Sequence, residues 1–572
     1  MKKAIILLLS LSSFLTYLYF LPLMHRLSTS LPNSIDPLLY AWNLNHNAHC
    51  IFQGVRSCLN TTMFYPETNT LALSDTLLGP ALLATPIIYI WNNPILAENI
   101  SIYLTFPLAA LSMFFLCFYL TRHTMASFFS SLLYAFCYPR MAHLGHLPMI
   151  SSHFLPLFFL FILQYFEHGR VRSLMLAMLT FLLLLISSMY FIVFSFPFFC
   201  IVLMFYIYRW NQKHEIATLW TRIKTSLPYF IPFTILVLIL MYPYILLKIE
   251  NPYITRSLFV TMDYRAFLMD YFSVLPTSVL ARFGFPVNIN ERALYPTLTL
   301  LSLSIIGIIF SWKKHRFMIL LFISTAISSF ILSFGIEQTI HIGPLFIEKL
   351  RLPYYYLYQF IPIFQLVRVP SRFSIFFILS LTVLASYGIM SLCRLKYRTF
   401  ILITLFILFF LETIQINMPY VQIPSHSSFP PVYKWLQGQS ESTIIAEVPI
   451  RRFYAGSPMS TQLMLPYYEL TEMDNYAIET YRLYFSILHN KRSVNGYSGF
   501  FPQSYVTLTE LGEVFPTHEY LKKLKDFGVS ILIIHSWQMR QSPVELRARI
   551  SQEFIEISPI IDFGEDWVYK IN

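Results

Sequence analysis

Carboxylates in the first polar part of the chain have the chemistry of a catalytic base. Asp36 lies in SIDPLLYAWNLNHNAHC, directly after the hydrophobic N-terminus, and Glu67 and Asp75 follow in FYPETNTLALSD. A carboxylate that is partly removed from water just above a membrane surface accepts a proton more readily, which suits a general base. Each has a structural alternative. Asp36 and Asp75 precede apolar helices, where they would be good N-caps, and Glu67 fits a solvated loop.

Imidazole and guanidinium groups recur in two later polar segments. PRMAHLGHLPM contributes Arg140, His143 and His146, and LVRVPSRF contributes Arg368 and Arg372. Planar guanidinium groups bind phosphate oxygens in pairs, and neighbouring imidazoles add donors. The pattern predicts phosphate binding. The alternative for an arginine at the end of a span is that it only extends towards lipid headgroups.

Metal binding is a second use for these groups. His46 and His49 have the i, i+3 spacing of zinc-binding pairs, but no HExxH motif or CxxC pair accompanies them. We interpret them as polar groups on a helix surface. The carboxylates of Asp36 and Asp75 could instead hold Mg²⁺ or Mn²⁺ together with phosphate oxygens of a substrate, and Glu67 could join them as a substrate-binding residue. No cofactor is required by the sequence.

The composition is that of a membrane protein. Hydrophobic residues make up 56% of the 572 residues and charged residues only 12%, against about 25% in soluble domains. The net charge of +11 does not indicate nucleic acid binding, because the basic residues form short clusters between apolar runs. Such clusters mark the cytoplasmic ends of membrane spans.

The apolar runs predict about eleven spans, with the N-terminus in the cytoplasm and the C-terminus outside. The predicted spans are residues 4–23, 95–121, 124–140, 150–166, 173–188, 189–207, 226–247, 292–312, 317–335, 371–392 and 398–416. Segment 71–91 is long enough to cross, but it contains Asp75 and two prolines, and crossing would place the basic clusters outside. We therefore predict that it lies in the outer membrane interface. The long outer loops are then 24–94, 248–291 and 336–370.

Charges return after the last predicted span. The stretches STIIAEVPI, LKKLKDFGVSILIIH and WVYKI predict strands and a helix of an α/β unit. We predict a transmembrane domain over residues 1–416, with its large loop 24–94, and an extracytoplasmic α/β domain over 417–572. Cys50 and Cys58 share the first loop and could form a disulfide if that side is oxidising.

Several blocks together resemble one group of proteins. SIDPLLYAWNLNHNAH, FYPETNTLALSDTLLG, YPRMAHLGHLPMISSHFLPL, LVRVPSRFS, AEVPI, VNGYSGFFP and FGVSILIIH are similar to blocks of bacterial multi-span proteins related to the GT-C glycosyltransferases. The resemblance covers nearly the whole chain and implies a GT-C-like fold in the bacterial inner membrane. It implies an inverting hexosyl or pentosyl transfer from a polyprenyl-phosphate sugar to an envelope glycan or lipid acceptor.

The resemblance also implies roles for particular residues. Asp36 would be the catalytic base, and Asp75 would be a second acidic residue where relatives often have Ser-Glu. Arg368 or Arg372 would contact the lipid phosphate. A non-catalytic transporter or lipid- or glycan-handling protein is the alternative. Transporters commonly have charges within spans and internal repeats, whereas the polar groups here lie in the outer loops.

Overall fold

A computed structural model describes residues 1–252, 254–289, 291–342, 345–450 and 475–572. The described chain is mainly helical. Helices of eight or more residues comprise Lys2–Tyr19, Asp36–Cys50, Leu78–Trp91, Pro94–Thr121, Thr124–Ala135, Leu155–His168, Val171–Leu185, Tyr190–Gln212, Ala217–Glu250, Leu298–Ser333, Pro353–Phe360, Ser374–Leu392, Arg398–Thr413, Asn475–His489, Gln503–Leu511, His518–Asp526 and Pro543–Glu553.

Within the described residues, seven helical segments are long and apolar enough to cross a membrane, judged by length and composition. They are Lys2–Tyr19, Pro94–Thr121, Leu147–His168, Tyr190–Gln212, Ala217–Glu250, Leu298–Ser333 and Pro370–Leu392. The chain is therefore a multi-pass membrane protein, as the composition predicts.

The predicted count of eleven spans is not confirmed. Thr124–Ala135, Val171–Leu185 and Arg398–Thr413 contain 12, 15 and 16 residues, fewer than the roughly 20 that a helix needs to cross hydrocarbon. The spans predicted at 292–312 and 317–335 both fall largely in the element Leu298–Ser333, which has non-helical backbone angles at His315, between the two predicted spans.

Segment 71–91 is divided between two helical elements. A 3₁₀ turn, Thr70–Leu73, is followed by the 14-residue helix Leu78–Trp91. At about 1.5 Å per residue this helix is roughly 21 Å long, shorter than the hydrocarbon core of a bilayer. Its location in the membrane interface stays a prediction.

Two of the long helices pack closely because each has a glycine at the contact. A Cβ atom placed on Gly307 would lie 2.0 Å from the carbonyl oxygen of Leu384, and one on Gly388 would lie 2.1 Å from that of Leu303. The Ser304 hydroxyl donates across the same contact to the Leu381 carbonyl at 2.8 Å. Small residues let helix backbones approach where burial of apolar surface gives little driving force, as in lipid.

Contacts within the chain define two compact units. The first comprises residues 1–21, 102–241 and 254–418, and the second comprises 22–101, 242–253 and 419–572. The sequence-based division at residue 416 grouped loop 24–94 with the transmembrane part, whereas the structure groups residues 22–101 with the C-terminal residues. That domain boundary stays a prediction.

The second unit contains a five-stranded sheet. With strands numbered along the whole chain, β1 is Ser30–Leu31, β2 Glu337–Ile342, β3 Leu345–Arg351, β4 Val421–Gln422, β5 Ile444–Val448, β6 Arg492–Ser493, β7 Ile531–His535, β8 Ile557–Asp562 and β9 Asp566–Ile571. The sheet order is β6-β5-β7-β9-β8, in which β6, β5 and β7 are parallel and β9 is antiparallel to its neighbours. Strands β5, β7 and β9 and the helix His518–Asp526 form where the sequence predicts them.

Buried charges meet at the ends of the central strands. His535 lies between two carboxylates, with Nε2 3.1 Å from Glu447 and Nδ1 2.7 Å from Asp566. Arg482 donates to Glu479 at 2.7 Å. Burial raises the pKa of Glu479 from 4.5 to about 7, although the Arg482 charge opposes that rise.

Replacing Glu479 with glutamine should stabilise the protein at pH 8 but change its stability little at pH 5. The unfolded chain releases the Glu479 proton near pH 4.5 while the folded chain keeps it to about pH 7, so wild-type stability falls as pH rises through this window. Glutamine has no such titration, and we expect a gain of about 1–3 kcal/mol at pH 8. The thermal unfolding midpoint measures this, with exposed Glu441→Gln as the control. Equal shifts at both pH values would contradict the prediction.

Candidate functional site

The residues predicted to form the site fall in both compact units, and each group is described within its own unit. The second unit contains Asp36, Glu67 and Asp75, and the first contains Arg140, His143, His146, Arg368 and Arg372.

Asp36 is the first residue of the helix Asp36–Cys50. Ile35 occupies the N-cap position, so the N-cap interpretation of Asp36 is wrong. The Asp36 carboxylate lies in the first helical turn, where the helix dipole favours negative charge. Its Oδ1 accepts a hydrogen bond from the Tyr497 hydroxyl at 2.9 Å. The carboxylate is half-buried and held in place by a residue far away in the sequence.

Glu98 is a second carboxylate near Asp36 that the sequence reasoning missed. It lies in the helix Pro94–Thr121, is fully buried, and is close enough to Asp36 for the two charges to repel each other. Glu98 lies inside a predicted span, and an ionisable residue within a span is a signal of function that could have identified it.

Asp75 is also not an N-cap. Leu77 is the N-cap residue of the helix Leu78–Trp91. The backbone carbonyl of Asp75 accepts a hydrogen bond from the Asn43 side chain at 3.3 Å. Asn43 lies seven residues after Asp36, about 10 Å further along the same helix. Asp75 therefore lies beside the Asp36 helix, about two turns from its start.

The described side chains do not fit a metal centre. Across the ranges that the structure describes, no group of three or more His, Cys, Asp or Glu residues is placed to hold an ion. His46 Nε2 contacts the Cys58 carbonyl at 2.9 Å and His49 Nδ1 contacts the Asn45 carbonyl at 2.7 Å, so each ring has a backbone partner. We derive no step through zinc, Mg²⁺ or Mn²⁺.

Glu67 lies in a turn closed by its own amide, which donates to the Phe64 carbonyl at 2.9 Å. Within the described part of the chain, its carboxylate forms no ion pair. The solvated-loop interpretation describes this position better than a binding role. Nearby, Cys50 and Cys58 form a disulfide.

In the first unit, the predicted phosphate-binding residues surround a carboxylate that the sequence reasoning did not single out. Arg372 binds Glu291 through two hydrogen bonds, from Nε at 2.6 Å and from a terminal nitrogen at 2.7 Å. His143 Nε2 lies 3.0 Å and His146 Nε2 3.2 Å from the two Glu291 oxygens. Three residues from two distant segments thus converge on one buried carboxylate.

The protonation of this cluster follows from its charges. Burial would raise the pKa of Glu291, but the charges of Arg372, His146 and His143 outweigh burial and hold that pKa well below its usual range. The Nδ1 atom of His143 faces the Pro139 carbonyl, and its Nε2 faces Glu291. Both partners are acceptors, but burial lowers the pKa of His143, although the charge of Glu291 opposes that shift. Glu291 follows no motif, and only the fold reveals its partners.

Arg368 has a different environment. Its guanidinium lies 4.7 Å above the Tyr264 ring, and it senses the charges of Glu291 and Arg372 at longer range. Among the described residues, no carboxylate is within ion-pair distance of Arg368, and its buried Nε has no hydrogen-bond partner. A buried donor without a partner costs about 1–3 kcal/mol. The Arg368 Nε is therefore a donor that no described residue uses.

Arg140 belongs to the helix packing of the first unit. It is 1% exposed, and its guanidinium donates to the Ala135, Ile150 and Thr105 carbonyls and to the Ser152 hydroxyl. These bonds use donors that a phosphate would need. We leave Arg140 out of the proposed site.

Comparison with solved structures finds an archaeal enzyme. The chain is similar to the Archaeoglobus fulgidus oligosaccharyltransferase in its apo form, at 11% identity over 92% of this chain and 69% of that one, with a TM-score of 0.43. It is also similar to AglB, the oligosaccharyltransferase of the same organism, in complex with an inhibitory peptide and a dolichol-phosphate, at 10% identity over 93% and 69% of the two chains, with a TM-score of 0.42. The Archaeoglobus fulgidus oligosaccharyltransferase in complex with Zn and sulfate is similar at 11% identity over 92% of this chain and 68% of that one, with a TM-score of 0.39.

This neighbour is a GT-C superfamily member, the superfamily that the sequence blocks resemble. No protein-family model and no curated protein matches the chain. A likeness of this size carries no conclusion about what the chain binds or does.

Proposed function

We propose that the chain is a membrane glycosyltransferase that moves a sugar from a polyprenyl-phosphate donor to an envelope glycan or lipid acceptor on the outer face of the inner membrane. The observation that carries the proposal is the environment of Arg368. The Arg368 guanidinium is half-buried and has no ion-pair partner among the described residues. Arg368 lies in the polar segment that precedes the span Pro370–Leu392. A lipid phosphate supplies the anion that this environment needs.

The proposed contacts to the leaving group come from Arg368 and the residues around it. Arg368 binds the donor phosphate and stabilises the negative charge that grows on it as the glycosidic bond breaks. Arg372 lies four residues further on, and Glu291 fixes its position through the two hydrogen bonds described above. His143 and His146 act through Glu291, so we assign them a positioning role.

Asp36 is the proposed base. Asp36 accepts the proton of the acceptor hydroxyl as that oxygen attacks the anomeric carbon, and the phosphate leaves from the opposite face with inversion. Asp75 is the less direct candidate: its backbone carbonyl accepts a hydrogen bond from Asn43 of the Asp36 helix. Catalysis in this proposal needs no metal ion.

Replacing Arg368 with glutamine should weaken binding of a polyprenyl monophosphate by about 10- to 100-fold, the loss expected for one hydrogen-bonded charge. Binding is measured with the full-length protein in lipid nanodiscs. The same polyprenol without phosphate reports on the tail alone and should bind both proteins equally. Exposed Arg282→Gln removes the same charge elsewhere in the first unit and should bind like wild type.

Unchanged phosphate-dependent binding in Arg368→Gln, with the protein folded, would refute the proposed phosphate site. Phosphate-dependent binding by a wild-type protein that transfers no sugar in the source strain would favour a non-catalytic lipid-handling protein.

A further inference from the structure

The segment VNGYSGF of the C-terminal residues is attached to the first polar loop by backbone hydrogen bonds. The amide of Ser493 donates to the Thr62 carbonyl at 2.8 Å, and the amide of Tyr65 donates back to Ser493 at 2.8 Å. The amide of Phe64 donates to the Asn495 carbonyl at 3.0 Å. The first loop thus runs along the residues that follow β6, within the same compact unit.

Two glycines permit this close approach. A Cβ atom on Gly496 would lie 2.9 Å from the Phe64 ring and 3.0 Å from Met63, and one on Gly499 would lie 3.1 Å from the Leu73 carbonyl oxygen. Contacts of that length require a neighbour to move. Gly496 directly precedes Tyr497 and Gly499 follows it by two residues, so the segment is held against the loop on both sides of Tyr497.

Asn495 fixes the other side of the segment to the sheet. Its side-chain oxygen accepts from the Glu447 amide at 2.8 Å, and its amide group donates to the Glu447 carbonyl at 2.9 Å and to Glu479 at 3.2 Å. Because these groups are buried, breaking any of the bonds would leave a polar atom unsatisfied. The backbone before Tyr497 is therefore held on both faces.

Tyr497 uses this support to contact Asp36. It is 7% exposed, its ring lies edge-on to Tyr476 at 5.9 Å, and its hydroxyl donates to Asp36 Oδ1 at 2.9 Å. The helix that begins at Asp36 is held to the helix Asn475–His489 by a hydrogen bond from Trp42 to Ser486 at 3.2 Å. Both ends of the Tyr497–Asp36 contact are thus fixed in the fold.

We infer that Tyr497 is a positioning residue for the Asp36 base. Its hydroxyl fixes the rotation of the carboxylate, and the segment NGYSG, residues 495–499, holds this hydroxyl against the first loop. A base delivers its rate effect only when its oxygen is correctly oriented towards the proton it takes. The inference rests on the proposed function, since it gives Tyr497 its role through Asp36.

The test is Tyr497→Phe, which removes one oxygen and keeps the ring. We expect kcat for sugar transfer to fall about 10- to 100-fold, the effect of one hydrogen bond to a charged group, with KM for the donor unchanged. Tyr484→Phe is the matched control, because that buried tyrosine donates to the Pro424 backbone carbonyl at 3.5 Å and not to a carboxylate. It should keep the wild-type kcat.

A second measurement separates positioning from folding. In an Asp36→Asn background, which removes the base, Tyr497→Phe should cause no further loss of the residual rate. An equal fold-loss in both backgrounds, or an unchanged kcat in the single variant, would overturn the inference. If Asp36→Asn itself keeps full activity, Asp36 is not the base and the role of Tyr497 falls with it, whereas a wild-type protein that transfers no sugar would refute the proposed function itself.

Discussion

Replacing Asp36 with asparagine should abolish sugar transfer while leaving binding of polyprenyl monophosphate intact. Asparagine has the same shape and can still accept the Tyr497 hydrogen bond through its amide oxygen, so the helix start should be retained. It cannot accept a proton near neutral pH. A general base contributes about 10²- to 10⁴-fold to rate, and we expect a loss in this range.

The measurement has two parts. A source strain that carries only the Asp36→Asn protein should lack one sugar of an envelope glycan, and the purified variant in nanodiscs should bind the lipid phosphate like wild type. Glu67→Gln is the matched control, because it neutralises a carboxylate of the same loop that lies in a solvated turn. Intact glycosylation in the Asp36→Asn strain, at normal protein levels, would remove Asp36 from the catalytic role.

The sequence predicted residue types better than it predicted their partners. It directed attention to Asp36, Arg368 and Arg372 because charged groups are costly beside a membrane and therefore informative. It did not indicate Glu291 or Tyr497. Glu291 meets Arg372 across 81 positions, and Tyr497 meets Asp36 across 461. No local periodicity encodes contacts over such separations.

In the fold, likewise, an apolar helix was easier to predict from the sequence than the contacts that fix helix ends. The apolar run Pro94–Thr121 was predicted within one residue, because hydrophobicity alone specifies it. The alternative that Asp36 and Asp75 cap the following helices is wrong, since Ile35 and Leu77 occupy the caps and neither has a side-chain oxygen. Tertiary contacts, and not local capping, therefore fix these helix ends.

Replacing Glu291 with glutamine should be among the most destabilising single changes in the first unit. Arg372 is buried and donates two hydrogen bonds to the Glu291 carboxylate. Removing one partner of a buried ion pair costs about 3–5 kcal/mol, because the remaining charge loses its counter-charge inside the protein. We expect a lower thermal unfolding midpoint at pH 7, with Glu250→Gln, an exposed carboxylate at the end of a helix, as the control.

The pH dependence identifies the cause of that loss. The folded-state pKa of Glu291 lies well below its unfolded value of about 4.5, so the stabilisation is present above pH 4.5 and is lost as pH falls towards the folded pKa. The difference between wild type and Glu291→Gln should therefore shrink in acid. A constant difference would mean that packing, and not charge, stabilises the site.

A double variant tests whether the loss comes from the charge that remains. Arg372→Met in the Glu291→Gln background removes the uncompensated guanidinium and supplies an apolar chain of similar length beside Tyr190, the ring that Arg372 now covers at 4.5 Å. Buried ion pairs are often replaced by apolar residues with little loss, so the double variant should be more stable than Glu291→Gln alone. If stability recovers while binding of the lipid phosphate does not, the cluster is retained for anion recognition and not for folding. An additive loss would show instead that Glu291 and Arg372 contribute independently.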